Sequence, residues 1–215
     1  MSNQSTANAW LEAETARRYQ RFAQHTTMYQ ELSHMIVDLA DLEPGMTVLD
    51  LGCGTGVTTQ AVLAELGDHG RVYALDLSAA MLEVARAQLP SAQVTFVQSD
   101  AGDFAGSIPE SVDRVVCSSV FWQFRHKPAV MAELGRVLKP DGLFVFNAPE
   151  PYFIFKHIPR SRKVGILFEQ LAAERYGVGR QDMRTIGVFL NNHGFELAKT
   201  KMLERVRPGD ESYLF

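Results

Sequence analysis

The chain's 215 residues, 46% hydrophobic and 21% charged, suit one folded core with an elaboration and exclude a disordered chain. A formal net charge of −4 excludes a general nucleic-acid binder, which needs surplus Lys and Arg against phosphate. The polar opening MSNQSTANAW lacks the features of an export signal, and no apolar run approaches the roughly 20 residues that span a bilayer, so a cytoplasmic protein without a membrane partner is expected.

Residues 1–9 carry no pattern and read as a loose tail. Between Leu11 and Leu42 apolar residues recur at helical spacing, with Met28/Tyr29, Leu32, Met35/Ile36 and Leu39 on one face of a helical segment. Glu43-Pro44-Gly45 stops it, because proline disfavours helical geometry before it. The period then changes. Thr47–Leu51 is a short apolar run suited to a strand covered on both faces. A glycine-rich turn follows, then a helical pattern through Val62, Leu63 and Leu66. Arg71–Leu75 is a second strand, and Ser78 caps a helix carrying Met81, Leu82, Ala85 and Leu89. Val94–Val97 and Asp113–Cys117 are the third and fourth strands. Pro128 opens a helix running to Leu138, the turn Lys139–Gly142 follows, and Leu143–Phe146 is a fifth strand.

Strand alternating with helix demands a parallel sheet, since parallel neighbours need crossover helices and these cover both faces. The fold expected is α/β and doubly wound. Past Asn147 the alternation lapses into aromatics and basic residues. A helical stretch at Met183–Leu190, a sixth strand at Phe195–Val206 and the start of another at Ser212–Phe215 close the chain, which reads as cut from a longer polypeptide or ending in a short strand. The organisation predicted is an N-terminal helical segment (1–43) belonging to the same domain, a ligand-binding core (44–147), a cap insertion (148–183) and a C-terminal helix with one or more strands (184–215).

Asp50-Leu51-Gly52-Cys53-Gly54-Thr55-Gly56 lies between the first strand and its helix. Alternate glycines let backbone approach a ligand closely, and helix-terminal N–H groups there are left to serve it. A nicotinamide-cofactor fingerprint, G-x-G-x-x-G, needs its third glycine at position 57, which is Val57. Asp50 repels a pyrophosphate and attracts an ammonium group, so the ligand should carry a positive end. That favours S-adenosylmethionine over a dinucleotide. The two cysteines cannot build a disulfide framework, and the six histidines lack metal-ligand spacing, so no metal is expected.

VLDLGCGTG (Val48–Gly56), ALDLSAAML (Ala74–Leu82), QSDAGDF (Gln98–Phe104) and RVLKPDGLFVF (Arg136–Phe146) stand in an order and spacing that resembles the class I S-adenosylmethionine-dependent methyltransferases. Within them the likeness is to the small-molecule branch of quinone-biosynthesis and natural-product O-methyltransferases. It implies a Rossmann-like, mostly parallel, seven-stranded-type sheet, with S-adenosylmethionine as cofactor and S-adenosylhomocysteine as product. It also implies that Asp50, Gly52, Cys53, Gly54 and Gly56 cradle the methionine end, and that Asp76 accepts from both ribose hydroxyls, its plainer role being a helix cap. Asp100, with the Ala101 backbone, would take the adenine amino group, and Leu77 and Met81 would pack on the ring. Ser118 and Ser119 would meet the methionine end, with Tyr19 closing over it.

The catalytic residues are less marked. Relatives often carry histidine where this chain has Trp122-Gln123; the nearest is His126, so His126 and Glu150 are the candidate bases. Phe121, Trp122, Tyr152 and Phe153 are expected to wall an acceptor pocket. Lys156, His157, Arg160, Arg162 and Lys163 make a solvated stretch or a dock for an anionic or carrier-bound acceptor. No Asn/Asp-Pro-Pro-aromatic motif follows strand four, which disfavours nucleic-acid bases. The function expected is methyl transfer to a small organic acceptor, most readily a hydroxyl. The alternatives are a C- or N-methyltransferase, or a non-catalytic cofactor-binding domain of a larger synthase. The oligomeric state is not legible.

Overall fold

The computed structural model describes residues 10–89, 92–147, 183–196 and 198, with side chains throughout except at Met28 and residues 183–187. Strands β1 (Thr47–Leu51), β2 (Arg71–Asp76), β3 (Val94–Gln98), β4 (Val112–Cys117) and β5 (Leu138–Phe146) form one sheet in the order β3-β2-β1-β4-β5. Every pairing is parallel, with Leu49 opposite Tyr73 on one side and Val115 on the other. Of the seven-stranded type expected, five strands are present among the described residues; the sixth and seventh expectations fall largely outside them.

The core follows from the strand period of two. Val48, Val72, Val116 and Val145 point to one face and are buried against Ile36, Val37, Val62 and Leu66 of the covering helices. Those helices are α2 (Thr27–Ala40) and α3 (Val57–Leu66), with α4 (Ala79–Gln88) adding Leu82 against Ala74 and Phe96. Leu49, Leu51, Leu75 and Val115 alternate to the opposite face and are equally buried, so the central strand is covered on both sides as its unbroken apolar run requires. Full burial of each such side chain stabilises the fold by about 1.5–3 kcal/mol. Helix α5 (Lys127–Val137) starts with Pro128 in its first turn, as expected.

The order reverses beside β1. From there the chain steps outward through β2 and β3, then returns to place β4 on β1's other edge. A crevice therefore opens beyond the carboxyl ends of β1 and β4, the position where ligands bind in open α/β sheets.

Two expectations are corrected. The N-terminal segment is not one helix: α1 (Ala13–His25) ends where Thr26 adopts φ −120° and ψ 117°, and α2 begins after it. The break folds α1 back so that Tyr29 of α2 meets Tyr19 and Phe22 of α1 edge to face, at ring centroid separations of 5.4 and 5.8 Å. The turn expected at Lys139–Gly142 is absorbed into β5 as an irregularity, since Val112 pairs with Leu138 but Arg114 pairs with Leu143.

Residues Met1–Ala148 and Pro149–Phe215 form separate compact units. Of the second, the described part is helix α6 (Met183–Asn192) and its end. There Gly194, at φ +81°, lets the Phe195 N–H return to the Leu190 carbonyl.

Candidate active site

At the end of β1 the backbone turns sharply through Gly52, Gly54 and Gly56, at φ +79°, +54° and +92°. Only glycine adopts this run without strain. Two of them also lie against neighbouring side chains, Gly52 the more tightly. A methyl group on Gly52 would collide with Val120 Cγ1, and one on Gly56 would lie 2.7 Å from Leu89 Cδ1. Most of the amide donors expected for a ligand serve the protein instead. The N–H groups of Gly52 and Cys53 both donate to the Leu75 carbonyl at 2.8 and 2.9 Å, and that of Gly56 to the Cys53 carbonyl at 2.9 Å.

Gly54 N–H donates to Asp76 Oδ2 at 2.8 Å, which ties the end of β2 to the glycine turn. Asp76 Oδ1 accepts from the Ser78 N–H at 2.8 Å, and Ser78 Oγ caps α4 through the Met81 N–H at 3.2 Å. Each carboxylate oxygen keeps a second lone pair, so these bonds leave Asp76 able to accept further donors.

Asp50 departs from its expected place. It is 1% exposed, does not line the cavity, and accepts the Thr59 hydroxyl at Oδ2 over 2.6 Å. The sheet holds it in the core, out of direct reach of the cavity. Burial raises its pKa to about 7, with Asp76 adding repulsion, and burial raises Asp76 as well. Among the described residues the ion pairs lie elsewhere, and none includes Asp50 or Asp76.

Above the turn is a cavity of about 30 Å³, lined by Tyr19, Tyr29, Ser33, Gly52, Cys53, Gly54, Thr55, Val57, Thr58 and Ser118. Tyr19 closes it from α1, and a methyl group on Gly54 would lie 3.7 Å from the Tyr19 ring. Gln20 Nε2 donates to Gln88 Oε1 at 2.5 Å, and Gln88 Nε2 to the Thr55 carbonyl at 3.4 Å, which latches α1 across α4 to the turn. Burial pushes the Tyr19 hydroxyl up, so it remains a neutral donor.

The other predicted residues separate into groups. Cys53 is buried and its thiol is held well above its ordinary pKa, so it contributes backbone rather than a nucleophile. Leu77 is 50% exposed beside Asp76, whereas Met81 is buried in the core. Asp100 is exposed and folds its Oδ1 onto the Gly102 N–H at 2.7 Å; Ala101 beside it is buried. Ser118 lines the cavity and Ser119 lies next to it. Phe121 is corrected from pocket wall to core: its short helical turn directs it onto Phe144 and Phe146, at 5.5 and 4.5 Å. Trp122 is half-buried and His126 is exposed just before α5. Glu150, Tyr152, Phe153 and the basic stretch lie outside the described residues.

Sequence reasoning missed Tyr29, Ser33, Thr55 and Thr58. Ser33 and Thr58 share a buried hydroxyl–hydroxyl hydrogen bond of 2.9 Å that joins α2 to α3. A signal existed for both: Ser33 is a polar residue on the stripe of Ile36, Val37 and Ala40, and threonines crowd the start of α3 where helix propensity disfavours them. Thr55 Oγ1 is buried without a hydrogen-bond partner, which is costly unless a ligand supplies one. That orphan hydroxyl, the exposed apolar Leu77 and two carboxylates outside any ion pair among the described residues fit a ligand with a positively charged group and an aromatic end. The residues present therefore fit S-adenosylmethionine.

Comparison with known proteins agrees. A family model described as a methyltransferase domain matches residues 49–146. The chain is 33% identical over 136 residues to a trans-aconitate 2-methyltransferase of Azoarcus, covering 63% of this chain and 51% of that protein. It is 33% identical over 132 residues to a malonyl-[acyl-carrier protein] O-methyltransferase of Halalkalibacterium halodurans, covering 57% and 48%. The chain thus spans about half the length of these curated relatives. In fold it is similar to a crystal structure from Aquifex aeolicus titled a SAM-dependent methyltransferase, with TM-score 0.64, 18% identity, and 87% and 90% of the two chains covered.

Proposed function

We propose that the chain, whose residues 49–146 match a methyltransferase domain, is a class I S-adenosylmethionine-dependent methyltransferase that transfers a methyl group to an oxygen of a small organic acceptor. The observation that supports this reading is the pair of carboxylates, buried Asp50 and half-buried Asp76, beside a glycine turn, neither in an ion pair among the described residues. S-adenosylmethionine supplies an activated methyl group on a sulfonium and leaves as S-adenosylhomocysteine. Asp76 would hold the ribose hydroxyls, and Asp50 would favour the ammonium group of the amino acid tail through its field. Tyr19 roofs the methionine end and excludes water, and Leu77 with Asp100 offers the adenine ring an apolar shelf and an acceptor. Alignment of this kind contributes ~7–11 kcal/mol to a displacement without a dedicated acid or base.

Oxygen is favoured as acceptor by the relatives' names, one of which specifies O-methylation of a carrier-bound malonyl group. An anionic acceptor is in keeping with the basic residues Lys156, His157, Arg160, Arg162 and Lys163, and residues 148–183 are proposed as its cap. Among the described residues His126 is the candidate base, and half-buried Trp122 is the candidate acceptor wall.

Calorimetric titration with S-adenosylhomocysteine, with NADH as control, tests the cofactor. Binding of the first and not the second is expected, and the reverse result overturns the reading. An acceptor library followed by mass spectrometry for an added methyl group tests the chemistry. Tight cofactor binding with no turnover on any acceptor would make the chain a binding domain. His126→Ala should lower turnover while leaving cofactor affinity unchanged.

A further inference from the structure

Ser119, just past the end of β4, has a φ of +60°, and with Asp41 it is one of two non-glycine residues at positive φ among those described. A serine in this left-handed region is strained unless its surroundings hold it there. The holding group is Asn147, which follows β5. Its Oδ1 accepts the Ser119 N–H at 2.6 Å, and its Nδ2 donates to Ser119 Oγ at 3.3 Å. Gln123 Nε2 adds a donation to the Ser119 carbonyl at 3.1 Å. On one side of Ser119, Ser118 lines the cavity. On the other, the Val120 side chain fills the space over Gly52 that a β-carbon would need. The strained residue thus joins the cavity wall to the backbone of the glycine turn.

We infer that Asn147 is a positioning residue for the cofactor site, holding the Ser118–Val120 turn in its left-handed form so that Val120 buttresses Gly52 and Ser118 faces the cavity. This rests on the reading that the crevice takes S-adenosylmethionine. A side chain without donor or acceptor at 147 leaves Ser119 free to relax toward negative φ, which withdraws Val120 from the glycine turn.

The test is calorimetric affinity for S-adenosylhomocysteine, with thermal melting alongside to establish folding. N147L should weaken binding about tenfold, the order set by one residue's left-handed preference. N147D keeps oxygens for both the N–H and the hydroxyl of Ser119 and should restore affinity to within about threefold. Adding S119G to N147L should also recover most of the loss, because glycine takes φ +60° unaided. If N147L does not fold, N147A takes its place with the same expectations. Wild-type affinity in N147L overturns the inference, as does a loss that neither N147D nor S119G repairs, which would mark Asn147 as merely structural. A wild type that itself fails to bind would instead overturn the cofactor reading and this inference with it.

Discussion

Two carboxylates beside one glycine turn repel each other unless a cation comes near, and this sets how the site responds to pH. Asp50 is raised from 3.8 to about 7 by burial. Between those values the folded chain keeps a proton that the unfolded chain has released, so Asp50's contribution to stability in the free protein falls as pH rises through that window. A bound cation favours the ionised form and reverses the preference. Affinity for S-adenosylhomocysteine should therefore improve as pH rises toward 7 and level off above it, measured by calorimetry from pH 5.5 to 8.5 at fixed ionic strength. Asp50→Asn should flatten the profile, and a flat wild-type profile would remove Asp50 from cofactor binding. Asp76 is the more exposed of the two. Asp76→Ala should lose about 1.5–3 kcal/mol of cofactor affinity, as for hydrogen bonds to a charged group, in a variant whose circular dichroism is unchanged. Undiminished affinity would count against its ribose role.

Helix α1 is the element on which access depends. A cavity of about 30 Å³ holds roughly one or two waters, far less than the amino acid tail of the expected cofactor. Tyr19 must therefore give way, and with it the Gln20–Gln88 hydrogen bond. The helix is polar on its outer side, with Arg17, Arg18 and Arg21 exposed around Glu14. Cleavage by trypsin at these arginines requires local opening, so bound S-adenosylhomocysteine, once roofed by Tyr19, should slow it severalfold. Electrophoresis of timed digests reads this directly, and equal rates with and without ligand would show that α1 does not close on it. The helix pair was only partly legible beforehand. The apolar period runs on through Thr26, and what breaks it is the packing of Tyr29 on Tyr19 and Phe22, a tertiary contact that no local pattern announces.

At the level of the whole molecule, the parallel sheet could be read because doubly covered strands such as Val48–Leu51 appear as unbroken apolar runs between glycine and proline stops. The glycine turn was legible for the same reason: three alternate glycines are a backbone requirement written in side chains. The cavity wall was not. Ser33 and Thr58 come from different helices, and Phe121 turned inward because Phe144 and Phe146 were waiting two elements later. Because the cofactor crevice lies over β1 and β4 at the centre of the sheet, ligand binding should stabilise the Met1–Ala148 unit as a whole. At a hundredfold excess over Kd the gain is about 2.7 kcal/mol. Calorimetric melting should show a rise of several degrees with S-adenosylhomocysteine and none with NADH.

The roof formed by Tyr19 has a kinetic corollary. If donor and spent donor pass Tyr19 as proposed, they would share one doorway, and a tighter latch would trade throughput for residence time.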